Sequence, residues 1–288
     1  MTEHLFLLRD LIQERTGLFF RDYLGVEWMA SGLKSRLDES GCESFSEYYR
    51  FLSEGEKAAA DEWLHVIAKL TKPASAFFRH AKFPRLLVDT VIPRLSSNKD
   101  TKTLKIWSAA CSTGEEPLTI AMALSEAGWF DRVEIEIYAS DASFVAIEKA
   151  RRGMYGESRM RSLSSELRSK YFTPATEGWQ VKPELHKRIR WSMANLVNES
   201  EIARLAASDI IFCRNVFIYF AEPAICRTLD LFGKQMPFGG YLFTDEGDYF
   251  ESLMARHPTF EQQKIGGASI WMKRNESAQR GAARSSYS

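Results

Sequence analysis

The stretch KIWSAACSTGEEP, from Lys105 to Pro117, decides the fold of this chain. It begins with the apolar pattern of a buried strand, and it ends with two carboxylates and a proline in the first turn of a helix. A plain turn needs one glycine, whereas the small residues between strand and helix leave room for a ligand to lie against the backbone. The stretch therefore predicts a strand, a ligand-binding loop and a helix.

Strands and helices alternate after this stretch. A strand at 133–141 ends in small and acidic residues, a helix follows at 142–153, and the run from Ser208 to Phe220 begins as a strand buried on both faces. Units of this length predict an α/β fold, in which a parallel sheet carries helices on both faces. A terminal hairpin is expected to turn through Gly266 and Gly267.

The N-terminal part of the chain has a different pattern. Apolar residues recur at helical spacing up to about Leu70, and Ser44 followed by Glu47 is the signature of a capping box at a helix start. No strand pattern interrupts these helices. We therefore expect a small all-helical domain before the α/β domain.

These changes of pattern predict the domain boundaries. The helical domain is expected to cover residues 1–70 and the α/β domain residues 71–274. A less regular segment at about 171–194 is predicted to form a small inserted β-subdomain. The polar, small residues at 275–288 are expected to form a disordered tail.

Composition excludes several classes of protein. The chain has 288 residues, a formal net charge of +0 and 45% hydrophobic residues, so a protein devoted to nucleic-acid binding is not expected. The cysteines are far apart and form no CxxC pair, which predicts reduced thiols and no zinc site; they are Cys42, Cys111, Cys213 and Cys226. No apolar run reaches the roughly 20 residues of a membrane span. The first residues mix charges into the apolar pattern, unlike a signal peptide, and we expect a cytoplasmic protein.

The loop after the first strand indicates which ligand is bound. The spacing from Gly114 to Asp141 exceeds the about 20 residues of a dinucleotide fingerprint, and GxGxxG is missing. Glu115 and Glu116 would repel a pyrophosphate, but they suit S-adenosyl-L-methionine, which has a sulfonium, an ammonium and a ribose for Asp141. The alternative is a tight connection in which the glutamates interact with the helix dipole and Asp141 caps the next helix.

Several motifs together resemble one family. They are WSAACSTGEEP, FFR at Phe77 to Arg79, ASD at Ala139 to Asp141, NL at Asn195 and Leu196, and FCRNVFIYF at Phe212 to Phe220. In this order and spacing they resemble the CheR family, the chemoreceptor glutamate O-methyltransferases, over about residues 5–273. The resemblance implies a helical N-terminal domain, a Rossmann-like domain that depends on S-adenosyl-L-methionine, and a small inserted β-subdomain.

The resemblance also implies roles for individual residues. Arg79 and Tyr219 are expected to be catalytic, at the reacting centre. The cofactor-binding residues are expected to be Ser75, Phe77 and Arg79 at the methyl-transfer site, Ala110 and Gly114 in the loop, Glu116 at the methionine portion, Asp141 at the ribose or adenosine portion, Asn195 and Leu196 along the adenine, and Arg214 with Asn215 near the cofactor. S-adenosyl-L-homocysteine would be the product.

A glutamate acceptor agrees with these residue types. A carboxylate with a pKa of about 4.3 is already ionised at neutral pH and needs no general base. Catalysis then consists of alignment, for which the planar guanidinium of Arg79 and the hydroxyl of Tyr219 are suitable. The partner is expected to be the cytoplasmic helical domain of a chemoreceptor, and the chain is expected to be a monomer that neither binds nucleic acid nor inserts into a membrane. The short segment YFTPATEGWQV is similar to that of members that do not bind a receptor's C-terminal pentapeptide.

Departures from the family pattern leave alternatives open. Pro73 replaces an asparagine that normally contacts the cofactor, TDEGD at Thr244 to Asp248 replaces GHSE, and only Lys34 and Arg36 remain where relatives carry a row of arginines. These changes are compatible with a cofactor-binding regulatory or scaffold protein that has lost catalysis, or with methylation of another carboxylate. A second enzyme alternative is methylation of a small molecule or a nucleic acid. Nucleic acid is disfavoured by the neutral charge and because CRNV occupies the place of [DN]PPY, and amine or hydroxyl acceptors are disfavoured because no general base is evident.

Overall fold

The structure is a computed structural model, and it describes residues 2–97 and 103–275. The predicted tail, beyond Asn275, lies outside the described residues. The N-terminal domain consists of helices α1 (Thr2–Thr16), α2 (Tyr23–Ser40), α3 (Phe45–Glu54) and α4 (Glu56–Leu70). The all-helical domain that the sequence predicts is therefore confirmed.

Local capping explains where the helices of this domain begin and end. The Asp22 carboxylate accepts a hydrogen bond from the Gly25 amide at 2.9 Å, and the Ser44 hydroxyl accepts one from the Glu47 amide at 3.3 Å. Gly41 ends α2 in the left-handed conformation, which glycine adopts without strain. The apolar faces then pack into one core, which includes Leu8, Ile12, Met29, Leu33, Tyr48 and Val66.

A helical connection leads into the second domain, whose main feature is a seven-stranded sheet. The connection contains α5 (Lys82–Leu86), a π-helical turn (Leu87–Val91) and α6 (Ile92–Ser96). The strands of the large sheet are β1 (Thr103–Ala109), β2 (Glu134–Asp141), β6 (Ile189–Met193), β7 (Ile210–Cys213), β8 (Tyr241–Phe243), β9 (Phe260–Ile265) and β10 (Ala268–Lys273). Helices flank them: α7 (Glu115–Glu126), α8 (Phe144–Arg152), α9 (Glu157–Met160), α10 (Ser165–Tyr171), α11 (Pro183–His186), α12 (Glu199–Ala206), α13 (Glu222–Gln235) and α14 (Asp248–Ala255).

The order of the strands places the ligand site. Across the large sheet the order is β6-β2-β1-β7-β8-β10-β9, and the first five strands are parallel. The chain therefore reverses its direction of winding between β1 and β7, and open α/β sheets bind ligands beyond the carboxyl ends of the strands at such a point. The predicted parallel sheet and the terminal hairpin, β9 with β10, are both present.

The small antiparallel sheet differs from the predicted range of 171–194. Its strands are β3 (Met154–Tyr155), β4 (Phe172–Ala175) and β5 (Gly178–Val181), in the order β3-β5-β4. It thus begins before residue 171, and the last part of the predicted insertion belongs to the large sheet as β6. The reason is register: β6 pairs in parallel with β2, where Ile189 lies opposite Ile137.

The loop between α1 and α2 joins the two domains. The Phe19 amide donates to the Tyr219 carbonyl at 2.7 Å, and the Ala221 amide donates to the Gly17 carbonyl at 3.0 Å. A Cβ atom on Gly17 would lie 2.8 Å from the Phe220 ring, so this close approach requires glycine. The helical domain therefore contacts the segment that carries a predicted catalytic residue. In the described part of the chain, no helix is both long enough and apolar enough to cross a membrane.

Candidate active site

A large cavity lies at the carboxyl ends of β1, β2, β6 and β7. Its volume is about 1390 Å³ including the open mouth, and the helical domain closes one side with Thr16, Leu18 and Ile67. Most of the predicted site residues line it: Ser75, Arg79, Ala110, Glu116, Asp141, Asn195, Leu196, Arg214, Asn215 and Tyr219. The fold therefore brings together residues that are distant in sequence.

Strained backbone is concentrated in this cavity. Among the described residues other than glycine, those with positive φ are Phe78 (48°), Ala110 (56°), Ser112 (52°) and Asn215 (57°), and all of them line the cavity. Left-handed backbone at such residues costs about 1–3 kcal/mol each and tends to cluster at functional sites. Sequence reasoning did not single out Phe78 or Ser112, because no sequence signal marks a left-handed residue that is not glycine, asparagine or aspartate.

Asp141 joins the loops that follow β1 and β2. Its Oδ2 atom accepts a hydrogen bond from the Ser112 amide at 2.8 Å, and its Oδ1 atom accepts one from the Ser143 amide at 2.9 Å. Burial raises the pKa of Asp141, and these amides offset part of the rise. Ser143, rather than Asp141, caps α8 by accepting from the Ala146 amide. Asp141 is thus at the cavity wall and is not the cap of the helix.

The two glutamates of the quoted stretch have different environments. The Glu116 carboxylate lies in the cavity wall and accepts a hydrogen bond from the Ser108 hydroxyl at 2.7 Å. Burial raises the pKa of Glu116, which the positive charge of Arg214 and the hydrogen bond from Ser108 offset only in part. Glu115 is fully buried away from the cavity and accepts from the Thr113 hydroxyl at 2.7 Å. Only Glu116 is therefore placed to meet a positively charged ligand.

Asn195 holds the helical domain against the sheet. Its Nδ2 atom donates to the Arg15 carbonyl at 2.7 Å, and its Oδ1 atom accepts from the Val197 amide at 3.3 Å. Leu196, the other predicted adenine contact, is 4% exposed and packs in the core beside β7. Asn195 therefore lines this end of the cavity and also contributes a hydrogen bond to the domain interface.

Arg214 and Asn215 follow β7 at the floor of the cavity. The Arg214 guanidinium stacks over the Phe83 ring at 4.1 Å, and burial lowers the pKa of Arg214. The Asn215 amide donates to the Asp245 carboxylate, which belongs to the segment that departs from the family pattern. In this chain the Asp245 carboxylate therefore stabilises the left-handed backbone of Asn215.

Arg79 and Tyr219 lie at the rim. Arg79 is exposed, and its guanidinium donates only to the Ala74 carbonyl, at 3.4 Å, within the described residues. Tyr219 is 55% exposed while it also lines the cavity. Both side chains are therefore accessible to a second substrate that enters from the mouth.

The structure does not bring Phe77 or Gly114 to the cavity. Phe77 is fully buried and contacts the rings of Tyr155 and Phe172 edge to face, with centroid distances of 5.0 and 5.4 Å. Gly114 has a φ of 95°, and a Cβ there would lie 2.8 Å from the Trp191 ring. Both residues support the site from behind, and the neighbouring Phe78 lines it instead.

Comparison with known proteins decides the family. The family description "CheR methyltransferase, SAM binding domain" matches residues 74–265, and "CheR methyltransferase, all-alpha domain" matches residues 3–71. The chain belongs to the CheR methyltransferase family. The resemblance seen in the sequence motifs is thereby confirmed, and so is the predicted Rossmann-like fold.

Relatives of this CheR family chain cover most of its length. A "Chemotaxis protein methyltransferase 2" from Vibrio cholerae is 32% identical over 82% of this chain and 81% of its own. The "Chemotaxis protein methyltransferase" of Escherichia coli K12 is 31% identical over 89% of this chain and 90% of its own. A "Probable biofilm formation methyltransferase WspC" from Pseudomonas aeruginosa is 30% identical over 94% of this chain and 62% of its own.

The predicted cofactor, S-adenosyl-L-methionine, is confirmed by this family membership. The cavity fits it, because Glu116 and Asp141 have no ion-pair partner among the described residues and the cofactor carries an ammonium and a sulfonium. The buried Ser112 hydroxyl also lacks a hydrogen-bond partner within 2–97 and 103–275. Glu116 would hold the ammonium and Asp141 the ribose hydroxyls.

Proposed function

We propose that this CheR methyltransferase esterifies glutamate side chains of a chemoreceptor-type protein, with S-adenosyl-L-homocysteine as the other product. Relatives named as chemotaxis protein methyltransferases, about 30% identical over most of the chain, support the pathway. The observation that carries the choice of a carboxylate acceptor is Arg79, an exposed guanidinium at the rim of the cofactor cavity.

Arg79 and Tyr219 supply what a carboxylate acceptor requires. A guanidinium presents donors in a planar fork that matches a carboxylate, and Arg79 has no ion-pair partner among the described residues. The Tyr219 hydroxyl can hold one carboxylate oxygen while the other is directed into the cavity. Since the negative charge of the acceptor disappears as the ester forms, tight ground-state binding by Arg79 would slow the reaction. The exposure of Arg79 to water keeps that binding moderate.

The cavity positions the methyl donor, as Arg79 and Tyr219 position the acceptor carboxylate. When bound, S-adenosyl-L-methionine supplies an electrophilic methyl group on a sulfonium. Glu116 and Asp141, which line the cavity beside the strained loops, would hold the ammonium and the ribose of the cofactor. The rate then comes from proximity and orientation and not from proton transfer.

The surface beside the mouth suits a protein and not a small molecule. Most of the large hydrophobic side chains that are exposed in the described part of the chain lie in two segments, 19–28 and 218–219; they are Phe19, Tyr23, Leu24, Trp28, Ile218 and Tyr219. The hydrogen bond from the Phe19 amide to the Tyr219 carbonyl joins the two segments. A concentration of exposed apolar side chains in neighbouring segments is typical of a protein-binding surface.

Two further parts of the proposal concern the setting. The enzyme acts from the cytoplasm on the cytoplasmic domain of the receptor. It does not bind a C-terminal pentapeptide of the receptor as a tether, because the turn between β4 and β5 consists of only Thr176 and Glu177. The pathway output need not be motility, because one relative is named for biofilm formation.

The experiment that tests the proposed function uses tritiated methyl donor. The purified chain is incubated with S-adenosyl-L-[methyl-³H]methionine and with the cytoplasmic domains of the chemoreceptors of its own organism. We expect label on at least one receptor domain, and we expect alkali to release it as methanol, because methyl esters are base-labile while N-methyl and S-methyl groups are not.

Variants at the rim identify the residues that act. Arg79→Lys and Tyr219→Phe should each lower turnover roughly tenfold or more, as loss of a positioned donor does. Arg85→Ala is the control, since this exposed arginine lies on α5 outside the cavity. Base-stable label would contradict esterification. If the chain binds the cofactor but labels no receptor domain, the result would favour a regulatory or scaffold protein that has lost catalysis.

A further inference from the structure

We propose that Arg159, on α9 beside the small sheet, is a positioning residue for methyl transfer. It acts through the segment 74–79, which ends in Arg79, and it touches neither cofactor nor acceptor because it does not line the cavity. Its role is to hold the backbone of this segment so that the Arg79 guanidinium stays at the rim.

Arg159 contacts the segment directly and is fixed by a buried acid. Its Nη1 atom donates to the Ser75 carbonyl and lies 3.4 Å from the Oε1 atom of Glu115. Glu115 is 0% exposed, its other oxygen accepts from Thr113, and Oε1 has no hydrogen-bond partner in the described part of the chain. The buried carboxylate therefore fixes the guanidinium at the point where it meets Ser75.

The rest of the segment is anchored to the same part of the molecule. Phe77 packs edge to face against the rings of both Tyr155 on β3 and Phe172 on β4. The strained Phe78 donates its amide to the Thr119 hydroxyl at 3.1 Å. The small sheet and α9 therefore support one side of the segment, and α7 supports the other.

Arg79 depends on these anchors because it has few contacts of its own. Its guanidinium has one hydrogen bond among the described residues, to Ala74 within the same segment. The location of its guanidinium is consequently set by the backbone of 74–79. Misplacement of such a group by about 1 Å can cost roughly 100-fold in rate.

The test must separate positioning from simple neutralisation of Glu115. Arg159→Ala alone leaves a buried charge unpaired, so it is compared with Glu115→Gln and with the double variant, in which no charge is left unpaired. Arg159→Lys is the conservative variant. Arg161→Ala is the control, because this exposed arginine lies just beyond α9.

Two readouts are used, and only one rests on the proposed function. Hydrogen–deuterium exchange of the peptide covering 74–79 needs no acceptor. We expect exchange roughly tenfold faster in Arg159→Ala and in the double variant, the effect of losing a hydrogen bond to a charged group. Glu115→Gln, which keeps the contact with Ser75, should exchange like the wild type. Affinity for S-adenosyl-L-methionine should change less than threefold in every variant.

The second readout is the rate at which each variant methylates a receptor domain that the wild type labels. In Arg159→Ala and in the double variant, kcat should fall roughly tenfold to 100-fold with an unchanged cofactor KM, and Arg159→Lys should recover part of it. Wild-type exchange and wild-type kcat in the double variant would overturn the proposal, since Arg159 would then only neutralise Glu115. Absence of turnover in the wild type would overturn the proposed function, and the exchange result alone would then decide the role of Arg159.

Discussion

Two enclosed glutamates, one in each domain, have opposite surroundings. In the helical domain, Glu62 is 6% exposed and accepts hydrogen bonds from Nε of Arg36, at 2.9 Å, and from the Tyr48 hydroxyl. In the cavity, Glu116 accepts from the neutral Ser108 hydroxyl. Burial acts to raise the pKa of Glu62, but the hydrogen bonds from Arg36 and Tyr48 outweigh it and lower the pKa. At Glu116 burial prevails, and the pKa is raised.

We infer from this difference that Glu62 is a structural carboxylate and that Glu116 is a cofactor-binding one. The charge of Glu62 is satisfied within the helical domain, so it needs nothing from outside. The charge of Glu116 is enclosed without an ion pair among the described residues, at the wall of a cavity that admits a cation. An enclosed charge without a partner is unfavourable until a ligand supplies one. The same reasoning applies to Asp141, whose hydrogen-bond donors are backbone amides.

The largest expected effect is on folding stability, through Glu62. Glu62→Gln removes the buried counter-ion of Arg36 and leaves only the exposed Glu39 carboxylate, which should lower the free energy of unfolding by about 3 kcal/mol, the low end of the range for a broken buried ion pair. Urea unfolding of the cofactor-free protein measures this change. Cofactor affinity measured on the folded fraction should be unchanged, and a large loss of affinity would contradict the separation of the two roles.

Glu116→Gln should give the converse result. Loss of the charge that faces the ammonium should weaken binding of S-adenosyl-L-methionine by about 1.5–3 kcal/mol, the range for hydrogen bonds to charged groups. The free energy of unfolding of the cofactor-free protein should stay the same or rise, because an enclosed charge has been removed. Calorimetric titration and urea unfolding of the same sample measure both. Equal affinity in wild type and variant would break the comparison.

The pH dependence should have opposite signs for the two glutamates. Because the folded pKa of Glu116 is raised, acidification from neutral pH protonates it early, which weakens cofactor binding and favours the cofactor-free fold. Because the folded pKa of Glu62 is lowered, its contribution to stability is present above the ordinary value of about 4.3 and is lost only as pH falls through the lowered value. Titrations between pH 7 and pH 5 should show a steeper fall in affinity for the wild type than for Glu116→Gln, in which the raised pKa of Asp141 still contributes.

The smallest expected effect concerns Ser108. Ser108→Ala removes the hydrogen bond that partly offsets the burial of Glu116, so the pKa of Glu116 should rise further. At neutral pH the affinity for S-adenosyl-L-methionine should fall by about 0.5–1.5 kcal/mol, and less at higher pH. Affinity measured at two pH values checks this. A loss that does not depend on pH would mean that Ser108 contacts the cofactor itself.

Much of the fold was predictable from local patterns. Continuous apolar strands, helical spacing of apolar residues, the capping-box signature at Ser44 and the small-residue loop at Ala110 to Gly114 are local signals, and they predicted both domains and the position of the cavity. The extent of the small sheet was not predictable, because Met154–Tyr155 is too short to give a strand pattern. The edge strand β6 was assigned to the insertion, since pairing with β2 is a long-range contact.

The side-chain assignments show where sequence reasoning ends. The motifs placed Glu116, Asp141 and Arg79 at the cavity, but they did not distinguish Phe77, which is buried, from Phe78, which lines it. Arg36 was counted among the few cations left on α2, yet it is 6% exposed and paired with Glu62. Both outcomes depend on which way a side chain points in the folded protein, and no pattern along the chain records it.

The contact at Gly17 has a consequence for the modular exchange of these domains. Since the loop between α1 and α2 supplies Leu18 to the cavity and pairs with the backbone of Phe220, the helical domain is a wall of the cofactor site. A chimaera that takes its helical domain from a relative would therefore alter cofactor binding as well as partner choice. A functional domain exchange would therefore have to preserve both sides of the contact at Gly17 and Phe220.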